Sequence, residues 1–149
     1  MRTFATSASP TAVVTGAAGG IGEALVHAFH HAGYEVIASD IVTRPGALPC
    51  TDYIQADLAR IVADEAYADA IFRAIRGHLD GRGLNVLINN AAIQILGGTE
   101  SLTRVDWQRT LDVNLIAPFL FAQALLPQLE AAAGCVLNIS SIHARLTKK

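Results

Sequence analysis

Short apolar runs alternate along this chain with stretches whose apolar residues recur every three or four positions. Glycine, proline or aspartate marks each change of period. TAVVT (11–15) is β-branched and ends at Gly16, which predicts a buried strand. From there Ile21, Ala24, Leu25, Ala28, Phe29 and Ala32 keep helical spacing, with His27, His30 and His31 on other faces, until Gly33 closes the run. YEVIAS (34–39) reads as a second strand, and the loop RPGALP leads to a third, DYIQAD. Residues 60–80 predict a helix carrying Ala68, Ile71, Phe72, Ile75 and Leu79 on one side. LNVLIN (84–89), nearly all apolar, is a fourth strand; a long helical stretch from about 104 to 130 precedes a fifth, GCVLNIS (134–140).

Strands that alternate with helices imply a parallel sheet with right-handed crossovers, and uninterrupted apolar strands imply cover on both faces. The expected architecture is a Rossmann-like, doubly wound α/β sheet of five strands, with ligands bound off the carboxyl ends of those strands. A flexible start over 1–10 and one domain over 11–149 account for the chain, without repeats or an internal linker. A chain of 149 residues can bury about two thirds of its unfolded surface.

Composition narrows the function classes. Hydrophobic residues are 52% and charged ones 16%, so the chain is globular rather than disordered. A net charge of −2 supplies no basic field for nucleic acid, and Arg145, Lys148 and Lys149 form only a small basic end. The longest apolar run, LIAPFLFAQALLPQL (115–129), is broken by Pro118, Gln123 and Pro127 and is too short to span a membrane. MRTFATSASP lacks an apolar signal core, and the expected location is cytoplasmic. Cys50 and Cys135 have no metal or redox spacing; Cys135, inside an apolar strand, is expected to be a buried free thiol.

Chemistry concentrates in TGAAGGIG (15–22), between the first strand and first helix. Glycines there permit a tight turn and let backbone N–H groups approach a pyrophosphate at the helix N-terminus. A P-loop would require Gly-Lys-Ser/Thr, whereas Gly22 precedes Glu23. Asp40, at the tip of the second strand, can accept both hydroxyls of an adenosine ribose. A 2′-phosphate at 4 Å would cost about 4 kcal/mol per unit charge at an effective dielectric of 20, which favours NAD over NADP. Arg44 could soften that preference by pairing with the phosphate, and Asp40 could instead only cap its loop. Pro118 cannot donate to the carbonyl of Asn114, which leaves either an acceptor for a water or an ordinary proline kink. His27 and His31, an i, i+4 pair, lack a third ligand at recognisable spacing and read as a solvated face. His143, without a partner carboxylate near it in sequence, reads as loop.

TGAAGGIG, Asp40, NNAA (89–92), Asn114 within DVNLIAPF, and NISS (138–141) together resemble the short-chain dehydrogenase/reductase family, in order and spacing, from Thr11 onward. The glycines fit both branches, as Gly16, Gly20, Gly22 or as Gly16, Gly19, Gly22; NNAA resembles the shorter one, with Ala92 in place of its glycine. The resemblance implies that Gly16, Gly20, Ile21 and Gly22 seat the pyrophosphate, that Asp57 meets the adenine amino group, and that Leu58 donates a backbone N–H beside it. It implies that Asn89 and Ala91 flank the cofactor ribose and brace the central strand. Asn114 corresponds to an asparagine that holds a proton-relaying water, and Ser141 to the serine that hydrogen-bonds the substrate carbonyl or hydroxyl, with Ser140 structural. The implied substrate is a small alcohol or ketone, and the helix near 104–130 is where members of the family dimerise.

The family's Tyr-x-x-x-Lys is not found here. Tyr34, Tyr53 and Tyr67 are followed four residues later by Ala38, Asp57 and Ile71, and the only lysines are Lys148 and Lys149. The expectation is therefore an NAD(P)-dependent oxidoreductase truncated after the fifth strand and inactive alone, with that strand an exposed edge. The alternatives are a non-catalytic NAD(H)-binding or interaction protein of the same descent, or an α/β domain that binds no nucleotide.

Overall fold

The computed structural model describes residues 9–141. Its strands are β1 (Thr11–Thr15), β2 (Glu35–Asp40), β3 (Asp52–Gln55), β4 (Val86–Asn89) and β5 (Cys135–Asn138). They form one parallel sheet in the order β3-β2-β1-β4-β5. The chain runs outward from β1 to β3 and then returns to the other side of β1 with β4. The strand order therefore reverses between β1 and β4, where such sheets open a crevice at their carboxyl ends. Both the fold class and the strand assignments agree with the sequence pattern.

Side chains along each strand alternate between two cores. Ala12, Val14, Val36, Ala38 and Ile88 pack against Val26 of α1 (Gly20–His31). Val13, Ile37 and Leu87 pack on the opposite face under α2 (Leu58–Ala63), α3 (Glu65–Leu79) and the helices that precede β5. Ala68, Ile71, Phe72, Ile75 and Leu79 are all buried, as their spacing predicts, and Phe72 meets Phe121 edge-on at 5.1 Å between ring centroids.

Four expectations need correction. The buried side of α1 is Gly22 and Val26, with Leu25 and Phe29 half-buried; Ile21, Ala24 and Ala28 face outward. Apolar spacing alone could not choose between these adjacent faces, because alanines are neutral to either. The helix expected over 60–80 begins at Leu58 and is interrupted at Asp64. There the extended backbone (φ −134°, ψ 100°) lets the Asp64 carboxylate accept from the Tyr67 N–H and start a second helix.

The stretch 104–130 is likewise not one helix. α4 (Arg104–Leu111) starts at a reciprocal capping box between Thr103 and Asp106. A π-helical turn, Asp112–Ile116, follows, then α5 (Ala117–Ala124) and α6 (Leu126–Ala131). Ala117 donates to the carbonyl of Asp112, five residues back, so the irregularity that Pro118 announced takes the form of a π-bulge. Finally, Cys135 is exposed rather than buried, with the rest of β5. An apolar run signals a strand but not its place in the sheet, and β5 lies at the edge, uncovered among the described residues.

Candidate functional site

Hydrogen bonds fasten the floor of the crevice where β1 and β4 end. The Thr15 hydroxyl oxygen accepts from the Asn90 and Ala91 N–H groups, both at 3.1 Å. The Asn90 amide donates back to the carbonyls of Thr15 and Gly16, both at 3.0 Å. One level lower, Asn89 donates to the Asn138 amide oxygen at 2.9 Å and ties β4 to β5.

Above this floor the glycine turn is set by contact as well as by dihedral angle. Gly16 has φ +65°, and a Cβ on it would lie 2.7 Å from the Ala91 Cα. A Cβ on Gly22 would lie 1.9 Å from the Gly16 carbonyl oxygen, so α1 can approach the turn only without one. Gly20 is different: nothing lies within 4 Å of the Cβ position, which faces open space. Gly16 and Gly22 shape the protein, whereas Gly20 leaves room beside it. At the start of α1, Gly19 is the N-cap and offers no side-chain cap, so the first N–H groups have no intrahelical acceptor. That end combines unpaired donors with the positive pole of a twelve-residue helix, which suits a phosphate or pyrophosphate.

A cleft of about 400 Å³ runs from this turn past the tips of β2 and β3. Gly16, Gly20, Ile21, Gly22, Asp40, Asp57, Leu58 and Ala91 all line it. Asp40 is positioned by two backbone donors, the Ala18 N–H at 2.9 Å and the Val42 N–H at 3.2 Å, one on each carboxylate oxygen. The Ala18 bond joins the Asp40 carboxylate to the glycine turn, and each oxygen keeps a further lone pair for a ligand hydroxyl. Tyr53 donates to the Val42 carbonyl and holds the loop after β2; burial, then the charge of Asp40, pushes its phenol pKa up, so it stays a neutral donor. Arg44 is committed elsewhere: its guanidinium donates to the carbonyls of Leu48 and Cys50 at 3.2 and 3.1 Å. At the far end, Asp57 caps α2 through the Ala59 and Arg60 N–H groups, leaving the Leu58 N–H without an intrahelical acceptor.

A second cleft, of about 820 Å³, lies across Ile21 and Asn90–Ala92, between α5 and β5. Asn89, Asn114, Ser140 and Ser141 line it, so the two residues assigned to catalysis share one cavity. The Asn114 side chain both accepts from the Ile93 N–H and donates to the Ile93 carbonyl, each at 2.9 Å, which pins the loop after β4 to the π-helical turn. Ala92 needs no glycine: among described non-glycine residues only Asp80 and Ala133 have positive φ.

Sequence reasoning missed Thr15, Asn90 and Arg109. The first two form the lock between β1 and β4, a pairing of residues 75 apart; Asn90 was visible only as part of NNAA. Arg109 lines the first cleft from α4. His27 and His31 lie 6.1 Å apart between ring centroids on α1, and among the described residues no three His, Cys, Asp or Glu converge as a metal site. His143 lies outside the described residues.

A parallel sheet with a glycine turn at its switch point and an acidic residue at the next strand tip defines a Rossmann-like domain. Comparison with known proteins is specific: the family model described as short chain dehydrogenase matches residues 10–148. The chain belongs to that family. It is 35% identical over 139 residues to the 3-alpha-(or 20-beta)-hydroxysteroid dehydrogenase of Mycobacterium tuberculosis, covering 89% of this chain and 51% of the relative. It is also 35% identical over 137 residues to the D-threitol dehydrogenase of Mycolicibacterium smegmatis, covering 87% and 52%. Among solved structures it superposes on a short chain dehydrogenase/reductase family oxidoreductase from Brucella ovis in complex with a partially ordered NAD, with TM-score 0.82 and 31% identity over 94% of this chain and 66% of that one. The chain thus spans about half the length of the curated relatives it matches. No helix among the described residues is long and apolar enough to cross a membrane.

Proposed function

We propose that this chain is the cofactor-binding part of an NAD-dependent oxidoreductase that interconverts an alcohol and a carbonyl compound. When bound, NAD supplies the hydride acceptor. The open N-terminus of α1 binds the pyrophosphate, with Gly20 and Ile21 against it and Gly16 and Gly22 shaping the turn. Asp40 reads the adenosine ribose. Asp57 and the Leu58 N–H recognise the adenine, while Asn89 and Ala91 flank the cofactor ribose. Asn114 and Ser141 face the second cleft, where the substrate is held. Transfer of the alcohol proton requires an acid–base group, and none of the tyrosines in this chain is followed by lysine at the fourth position. We therefore expect these 149 residues alone to bind cofactor without turning over.

One observation carries the reading: Asp40 is fixed by the Ala18 N–H of the glycine turn, and Asp40 lines one cleft with Gly16, Gly19, Gly20 and Gly22 of that turn. The prediction is that NAD binds, that Asp40→Ala weakens it about tenfold or more through lost charge-assisted hydrogen bonds, and that NADP binds less well than NAD. Calorimetric titration checks each point; equal affinity of wild type and Asp40→Ala for NAD would end the assignment. The engagement of Arg44 with two carbonyls supports the preference for NAD.

A second reading rests on the outer surface. Trp107, Leu111, Leu115, Phe119, Val136 and Leu137 are all exposed, apolar side chains on α4, the π-helical turn, α5 and β5 whose burial would favour association. A non-catalytic NAD(H)-binding protein that pairs with itself or with another chain, through the region 104–130, fits that surface. Its free cysteines suit a reducing compartment such as the cytoplasm.

A further inference from the structure

Arg109 has no role in the reading above, and its surroundings give it one. It sits in the last turn of α4, four residues before Val113, and lines the first cleft together with Ala56, Asp57, Leu58, Ile93 and Val113. Among the described residues its guanidinium makes neither an ion pair nor a side-chain hydrogen bond. The carboxylates nearest in the chain and at that end of the cleft are engaged elsewhere. Asp106 is held in the capping box with Thr103, Asp112 accepts from the Gln108 amide at 2.7 Å, and Asp57 caps α2. A planar cation with no ion-pair partner among the described residues therefore borders a pocket lined also by Ala56, Leu58, Ile93 and Val113.

This combination suits one kind of ligand group. An apolar slot accepts a flat aromatic ring, and a guanidinium stacks on such a ring through cation–π attraction, which a neutral or aliphatic side chain cannot supply. We infer that Arg109 is a positioning residue for the cofactor, closing the adenine end of the cleft by stacking on the purine. This inference rests on the proposed nucleotide site and adds a contact that the glycine turn, Asp40 and Asp57 do not make. Stacking contacts the base and not the phosphates. The contribution of Arg109 should therefore be the same for adenosine, AMP and NAD, vanish for nicotinamide mononucleotide, and persist at high salt.

The experiment titrates the full chain and its Arg109→Ala and Arg109→Lys variants with adenosine, AMP, NAD and nicotinamide mononucleotide, at low and high salt. Arg109 is exposed, so unchanged circular dichroism and melting temperature are expected for both variants. Arg109→Ala should weaken all three adenine ligands about tenfold and leave nicotinamide mononucleotide unaffected, with Arg109→Lys in between. A loss below about threefold for adenosine, or one confined to AMP and NAD and abolished by salt, would overturn the inference, the latter showing phosphate contact instead. If the wild-type chain binds no adenine ligand, the nucleotide site itself fails. If it binds them and Arg109→Ala matches it, only the role of Arg109 fails.

Discussion

The two clefts at the carboxyl end of the sheet share a wall, yet they are built differently. The first is enclosed by the tips of β1, β2, β3 and β4, and its shape is held by backbone donors on Asp40, the Thr15–Asn90 lock and two glycines that admit no Cβ. The second has the same lock on one side, but on the other only α5 and an edge strand whose four residues are exposed. Leu115, Phe119 and Val136 line it with more than 40% of their surface accessible. A cleft at the switch point of the sheet inherits its rigidity from central strands. A cleft at the edge needs further cover before it can exclude water. In this molecule the residues that would hold a nucleotide lie in the rigid region, and Ser141 lies in the open one.

The rigid cleft should break most sharply at Gly22. Adding one methyl there forces it to 1.9 Å from the Gly16 carbonyl oxygen, against backbone that cannot yield without moving Ala91 and Asn90. Gly22→Ala is expected to cost about 3 kcal/mol or more of stability and to abolish NAD binding. Gly20→Ala is the matched control, since its Cβ enters open space. It should change stability by no more than about 1 kcal/mol, favourably if at all, because alanine outranks glycine in a helix. It should nevertheless weaken NAD by occupying the room left for the pyrophosphate. Thermal unfolding followed by calorimetry separates the two; equal melting temperatures for both variants would refute this division of labour between the glycines.

What could be read in advance follows the same division. The glycine turn, Asp40, Asp57, Asn114 and Ser141 all fall on one of two neighbouring clefts, because each is fixed by its position at the end of a strand or on a helix beside it. The buried side of α3 was legible since large residues at helical spacing admit one orientation. The buried side of α1 was not, because small residues on it permit two. Cys135 shows the same limit for strands: apolar content reveals a strand, while its rank in the sheet depends on partners far away in sequence. Thr15 and Asn90 were illegible for that reason. The π-helical turn was signalled only by Pro118, which told that the hydrogen-bond ladder fails there but not how it is mended.

The open cleft should respond to a change in surface rather than in fold. Phe119 is 61% exposed on α5, so Phe119→Ser removes little buried area and should shift stability by no more than about 0.5 kcal/mol. If the apolar surface drives self-association, the same substitution should lower the mass seen by sedimentation equilibrium toward that of a monomer. An unchanged mass distribution, with wild type already associated, would place the contact elsewhere.

The smallest expected effects come from the exposed helix caps, and they also divide the molecule. The Asp64 carboxyl is held below its ordinary pKa, first by the Tyr67 N–H and then by Arg60, and that of Asp106 by the Thr103 hydroxyl and N–H. A folded-state pKa depressed below the unfolded value means that the unfolded chain binds protons more readily in this range. The caps' contribution is therefore complete above the ordinary carboxylate range and is lost as the pH falls through the depressed values. Asp64 starts α3, which packs under the central sheet, whereas Asp106 starts α4, which has no buried residue. Asp64→Asn should flatten the acid limb of a global unfolding curve. Asp106→Asn should leave global unfolding nearly unchanged and instead speed hydrogen exchange in the first turn of α4, because that turn can open without exposing the core. Slower acid unfolding in Asp106→Asn than in Asp64→Asn would reverse this assignment and tie α4, with Arg109 on it, to the rigid part of the molecule.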